Sequence, residues 1–216
     1  MELLSVQVGT PRTVKWQGKN VSTAIFKKKI SGPVKMGKLN IEGDIQADLK
    51  YHGGEDKAVY AYSHDAYPWW CKKLDVASLP PGAFGENLTF DALDEKELCV
   101  GDRLSLGKCE LQVVQPRFPC FKLGILFKDI SILKTFMQSG RPGIYFRVLK
   151  EGQIQEGQKL EILERDPNQV SISEFFLLKQ KGYKDMSLLK RLLKVENLNE
   201  EWRETFTSAI AKLEAQ

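Results

Sequence analysis

The residue best suited to chemistry is Cys120, in the segment Gln115-Pro116-Arg117-Phe118-Pro119-Cys120-Phe121-Lys122-Leu123. Two prolines stiffen this loop. The nearby cations Arg117 and Lys122 favour a thiolate, the form that ligates metals or attacks electrophiles. A cysteine is more often an inert buried residue, and local sequence leaves that alternative open. Cys71, Cys99 and Cys109 lack comparable surroundings and read as structural. With no CxxC pair and no Cys/His knuckle, neither a structural zinc site nor a disulfide framework is expected.

His52 lies in Tyr51-His52-Gly53-Gly54-Glu55-Asp56-Lys57. Paired glycines there give a ligand close access to the backbone, or simply form a turn. His64 reads as the first residue of a helix. The segment Gly82-Ala83-Phe84-Gly85-Glu86-Asn87-Leu88-Thr89 is glycine-rich, yet it lacks both the GK[ST] ending and the GxGxxG spacing. Lys57, Arg147 and Arg141, the last within Ser139-Gly140-Arg141-Pro142-Gly143, are further basic candidates. If these loops converge on Cys120, they form an anion pocket.

Short strands must carry those loops. Leu3–Val8, Arg12–Trp16 and Val21–Phe26 alternate apolar and polar residues. Lys57–Tyr62, Arg103–Leu106, Glu110–Val114, Ile144–Leu149 and Lys159–Leu163 follow the same pattern. Many short strands with frequent turn signals predict a mainly β fold, a barrel or a sandwich. Helices are expected over His64–Leu74 and Asp129–Gln138. After Asp166-Pro167-Asn168 the pattern turns helical: Ile172–Gln180 opened by a Ser171/Glu174 capping box, Leu188–Lys194 capped by Ser187, and Glu200–Ala215 capped by Asn199. The division is therefore a β domain over 1–165 and a three-helix appendage over 166–216, docked on the β domain or on a partner subunit.

Composition narrows the class. The chain has 216 residues, 42% hydrophobic and 28% charged, enough for a full core without disulfides. The net charge of +4 is too mild to imply a nucleic-acid polymer. Over residues 168–216 eight basic side chains meet seven acidic ones, so a DNA-reading helix is not expected there. Lys27-Lys28-Lys29 reads as a solvated strand end. Neither a signal peptide nor a membrane-length apolar run is visible, and a cytoplasmic location is expected.

Taken in order, these segments resemble a known family. Gly43-Asp44 and Gln46-Ala47-Asp48 come first, then His52-Gly53-Gly54 with Asp56-Lys57-Ala58-Val59. Gly85-Glu86-Asn87, Gly101-Asp102, Gln115-Pro116-Arg117 with Pro119-Cys120 and Lys122-Leu123, and Gly140-Arg141-Pro142-Gly143-Ile144-Tyr145 follow. The set resembles the MOSC family, named for the C-terminal domain of molybdenum cofactor sulfurases, in its YiiM-like branch with a three-helix tail. The resemblance implies a MOSC-type β-barrel and a molybdenum cofactor, a pterin dithiolene that ends in a phosphate. It implies Cys120 as the molybdenum ligand, since soft sulfur suits such a centre. His52, Lys57, Asn87, Arg117 and Arg141 lie on family motifs and are implied as pocket residues, with His52 either a proton source near the metal or a lining group. Glu86 either bonds the pterin or fixes its own loop.

The implied reaction is reduction of N-hydroxylated compounds (hydroxylaminopurine-type bases, amidoximes, hydroxylamines) to amines. The chain carries no flavin, nicotinamide or iron–sulfur fingerprint, so a separate electron-donor protein is expected. The alternative is a carrier that passes molybdenum cofactor, or sulfur on Cys120, to another enzyme. A third reading makes the protein a non-catalytic module whose helical tail binds partners. The apolar faces of the tail are compatible with a homodimer.

Overall fold

A computed structural model describes residues 1–49 and 53–215. Within them the chain forms twelve strands and six α-helices. The strands are β1 (Leu3–Val8), β2 (Arg12–Trp16), β3 (Lys19–Thr23), β4 (Lys28–Ile30), β5 (Val34–Met36) and β6 (Val59–Ser63). They continue with β7 (Leu88–Phe90), β8 (Arg103–Leu106), β9 (Cys109–Pro116), β10 (Ile144–Lys150), β11 (Gly152–Ile154) and β12 (Leu160–Glu164). The helices are α1 (Tyr67–Leu74), α2 (Phe121–Phe127), α3 (Ile132–Ser139), α4 (Ile172–Gln180), α5 (Met186–Leu193) and α6 (Glu200–Glu214).

Eight strands join in the order β12-β8-β9-β10-β6-β7-β1-β4. All neighbours are antiparallel except β6 and β7, whose parallel pairing is made possible by the crossover through α1. The expected closed barrel is not found among the described residues, where no ladder joins the edge strands β12 and β4. The sheet nevertheless curls. A lone bridge between Glu2 and Lys159, with backbone bonds from Leu3 N to Gln158 O and from Leu160 N to Met1 O, brings the start of β1 to the start of β12. Contact at one bridge satisfies only a few backbone groups, so the seam stays short.

Two apolar clusters fill the interior. The larger lies on the sheet, with Leu3, Val59, Phe90, Leu111, Phe146 and Val148, and runs without a break into Phe175, Leu189, Leu192 and Phe206 of the last three helices. Burial of that shared apolar area is what holds α4–α6 against the sheet. The smaller cluster is aromatic: Tyr60, Tyr62, Tyr67, Trp70, Phe84 and Phe136, contributed by β6, α1, α3 and the loop before β7.

Local signals explain most helix boundaries. Ser171 and Glu174 make both bonds of the capping box, Glu174 N to Ser171 Oγ at 3.1 Å and Ser171 N to Glu174 Oε2 at 2.8 Å. Asn199 caps α6 by accepting from Glu201 N. The expected cap of α5, Ser187, lies instead inside the helix. Asp185 does that work, accepting from Leu188 N at 2.9 Å, because a carboxylate also complements the positive helix N-terminus. No helix among the described residues is long and apolar enough to cross a membrane.

Candidate active site

Cys120 follows directly from how β9 ends. Pro116 closes the strand, Pro119 lacks a backbone donor, and Cys120 becomes the residue preceding α2 in an extended conformation. Its thiol is free and half-buried. It lines an open cleft with about 680 Å³ of empty space, including the mouth. The walls come from the 23–27 and 44–48 segments, Lys57, Tyr60 of β6, Gly85 and Asn87 before β7, the 117–122 segment and Tyr145 of β10.

Four basic side chains, Lys27, Lys57, Arg117 and Lys122, line this space together with two carboxylates, Asp44 and Asp48. Arg117 is buried, with Nη1 donating to Phe84 O at 2.7 Å and its guanidinium 4.9 Å from the Tyr60 ring and 5.2 Å from the Phe136 ring. Burial works against its charge, but the facing Tyr60, Tyr145 and Cys120 more than offset that, so its pKa is raised. Lys122 donates to Asp48 at 3.2 Å. The Lys57 backbone is held by Gln46, whose Nε2 donates to Lys57 O.

Lys27 is the residue that sequence reasoning missed. Lys28 and Lys29 are exposed, as a solvated strand end requires, whereas the Lys27 side chain is 8% exposed and its Nζ lies 2.5 Å from Oδ1 of Asp44, itself 2% exposed. Burial lowers the Lys27 pKa against the pull of Asp44. Asp44 Oδ1 also accepts from Gly9 N at 2.6 Å. An ion pair withdrawn from water at a cleft wall is costly unless both members are fully bonded or used. Gly43-Asp44 was visible in the sequence, but nothing in it marked Lys27 as the partner of Asp44.

Of the other residues expected at the site, the cleft brings together Lys57, Asn87, Arg117 and Cys120. Asn87 does so as a bracket. Its Oδ1 accepts from Tyr60 N, its Nδ2 donates to Gln7 O, and its backbone bonds both strands again, so it ties β1 to β6. Arg141 is not among the residues that line this cleft. Its guanidinium lies 4.0 Å from Asp65, and its backbone carbonyl accepts from Tyr62 OH. The segment around it supports the cleft from behind, because Pro142 O accepts from the Tyr60 hydroxyl at 2.9 Å. Gly143 makes that approach possible, since a Cβ there would lie 2.5 Å from Ala61 O at a φ of +66°. His52 falls outside the described residues.

Glu86 fixes its own loop. One oxygen accepts from Gly82 N at 2.7 Å, Thr89 Oγ1 at 3.3 Å and the Tyr67 hydroxyl, and the other from Phe84 N at 2.9 Å. Through Phe84, whose carbonyl receives Arg117, this buried carboxylate determines where the guanidinium sits.

A thiol among cations, closed in by tyrosines on a curled mixed sheet, can hold an anionic group and offer one sulfur ligand to it. Residues 48–161 match the MOSC domain family, and the chain belongs to that family. Within it the chain is YiiM-like. It is 34% identical over 186 residues to YiiM of Escherichia coli (strain K12), covering 85% of this chain and 82% of that protein. The crystal structure of YiiM from Geobacillus stearothermophilus superposes with a TM-score of 0.81 at 32% identity, covering 97% of this chain and 98% of that one. A protein of Gibberella moniliformis (strain M3125 / FGSC 7600) named a reductase is 38% identical over 156 residues, which span 68% of this chain and 27% of that longer protein.

Proposed function

We propose that the protein is a molybdenum-cofactor-dependent reductase of N-hydroxylated compounds, with Cys120 as the protein's ligand to molybdenum. The observation that carries this reading is a free cysteine in a cleft lined by Lys27, Lys57, Arg117 and Lys122. Among the described residues no group of three or more His, Cys, Asp or Glu side chains could hold a bare metal ion. A metal that arrives with its own dithiolene ligands and needs one more soft donor fits such a donor set. The cations fit an anionic pterin that ends in a phosphate. The reductase name of the fungal relative agrees with the direction of the reaction.

When bound, the cofactor supplies two-electron exchange and acceptance of oxygen. The chain's own residues do the rest. Cys120 presents its sulfur from the start of α2, and Pro119 limits its movement. Lys57 and Arg117 face the anion together with Lys27 and Lys122, whose charges are shared with the lining carboxylates Asp44 and Asp48, while Tyr60 and Tyr145 form an aromatic wall. The overall change, R–NHOH + 2 e⁻ + 2 H⁺ → R–NH₂ + H₂O, draws its electrons from a separate donor protein in the cytoplasm.

The test is turnover. The full chain, produced in a host that makes the cofactor, is given reduced viologen and a hydroxylaminopurine base, an amidoxime or a simple hydroxylamine. Formation of the amine, or of the amidine from an amidoxime, from at least one class and lost in Cys120→Ser is the expected result. Cofactor retained without turnover of any class would overturn the reductase reading and favour a carrier.

A further inference from the structure

We propose that the C-terminal helices α4 and α6 are a working part of the cleft, with Trp202 and Phe176 as positioning residues that hold the Phe118–Cys120 segment in place. Pro119 gives this segment no N–H donor, and its backbone tie among the described residues is Cys120 O accepting from Leu123 N at 2.9 Å. Side chains from the tail hold it as well. Phe118, which lines the cleft, stacks on Phe176 of α4 at 5.4 Å between ring centroids and 16° between planes. Trp202 of α6 packs on the same ring at 5.5 Å, and the Lys179 ammonium lies 4.0 Å from its centroid. The Trp202 indole N–H donates to Gln115, the penultimate residue of β9, so one side chain fixes both the strand end and the loop that leaves it.

A second contact runs to another lining segment. Asp56, next to Lys57, accepts from Arg147 Nε at 2.8 Å and from Asn199, the cap of α6. Arg147 in turn reaches Gln112 of β9 at 3.1 Å. The start of α6 therefore touches the supports of two cleft segments, one carrying Cys120 and one carrying Lys57. Reacting groups need this kind of fixed support, since small displacements are expensive in rate.

The inference rests on reading Cys120 as the reacting sulfur, but its test does not depend on bound cofactor. The full chain is alkylated with iodoacetamide at one fixed pH, and each cysteine is quantified by mass spectrometry in wild type, Trp202→Phe and Phe176→Leu. Trp202→Phe keeps a ring but removes the donor to Gln115; Phe176→Leu shortens the side chain stacked on Phe118 and leaves Gln115 untouched. We expect the Cys120 rate to change by about threefold or more in either folded variant while Cys71 and Cys109 keep their wild-type rates. An unchanged Cys120 rate would overturn the proposal. So would a parallel rise at all three cysteines, which reports general loosening. Either failure leaves the metal-ligand reading of Cys120 standing.

Discussion

Glu86→Gln removes one charge from the interior and changes almost nothing in shape, so its cost can be worked bond by bond. The carboxylate accepts four hydrogen bonds in a site with no exposure to solvent. An amide can keep its oxygen toward Gly82 N, Tyr67 and Thr89, but its NH₂ then meets the Phe84 N–H, donor against donor. Losing a charge-assisted bond and stranding a buried donor costs about 2 kcal/mol. Weakening the remaining short bonds from charged to neutral adds about 1 kcal/mol each, and relief of carboxylate desolvation returns part of it. The expected net loss is about 3 kcal/mol. Urea unfolding should show it as a lower midpoint at an unchanged slope. Because Phe84 O also receives Arg117, a variant carrying the proposed cofactor should lose it more readily than its stability alone explains. A loss below about 0.5 kcal/mol would refute the assignment of Glu86 to the loop, since surface substitutions already fall within that range.

Three further outcomes follow from the same geometry. Asp44→Ala leaves Lys27 buried without its partner and should cost about 3 kcal/mol, and the Lys27→Met/Asp44→Ala double variant should recover part of it; additive losses in a double-mutant cycle would deny the pairing. Burial raises the Glu95 pKa to about 7, against a weaker opposing bond from Gly143 N, so the folded state binds a proton that the unfolded state has released. Its contribution is complete below the ordinary glutamate value and is lost as pH rises through about 7, so stability should fall between pH 5 and 8 by about 2 kcal/mol more in wild type than in Glu95→Gln. Identical slopes for the two proteins in pH-dependent thermal or urea unfolding would exclude that role. Gly143→Ala should unfold at a markedly lower temperature, because the methyl meets the Ala61 carbonyl and the Tyr60 and Tyr62 rings; a melting curve equal to wild type would contradict the contact.

Much of this architecture was readable from periodicity and capping. Leu3–Val8, Arg12–Trp16 and Arg103–Leu106 are strands at the bounds their alternation gave, and α4 and α6 begin at their caps. The strands that escaped, β4, β5, β7 and β11, have three residues each, too few to show a period. Helix α2 escaped because its seven residues directly follow the proline loop and carry no side-chain cap. The barrel expectation failed at its seam, where only tertiary pairing decides whether β12 and β4 find partners. At the site, Cys120, Arg117, Lys57 and Asn87 were legible as residue types in sequence order. Lys27 was not, because three consecutive lysines look alike until the fold buries one against Asp44. Nor could sequence show that Arg141 faces Asp65 while its neighbour's carbonyl supports Tyr60.

The central claim is that Cys120 ligates molybdenum in this cleft. Molybdenum bound per chain, measured by elemental analysis after expression in a cofactor-producing host, tests it most directly when wild type is compared with Cys120→Ser. Near-stoichiometric metal is expected in wild type and little in the variant, with both proteins folded to the same helix and strand content. Equal metal in the two, or none in wild type even after reconstitution with free cofactor, would contradict it.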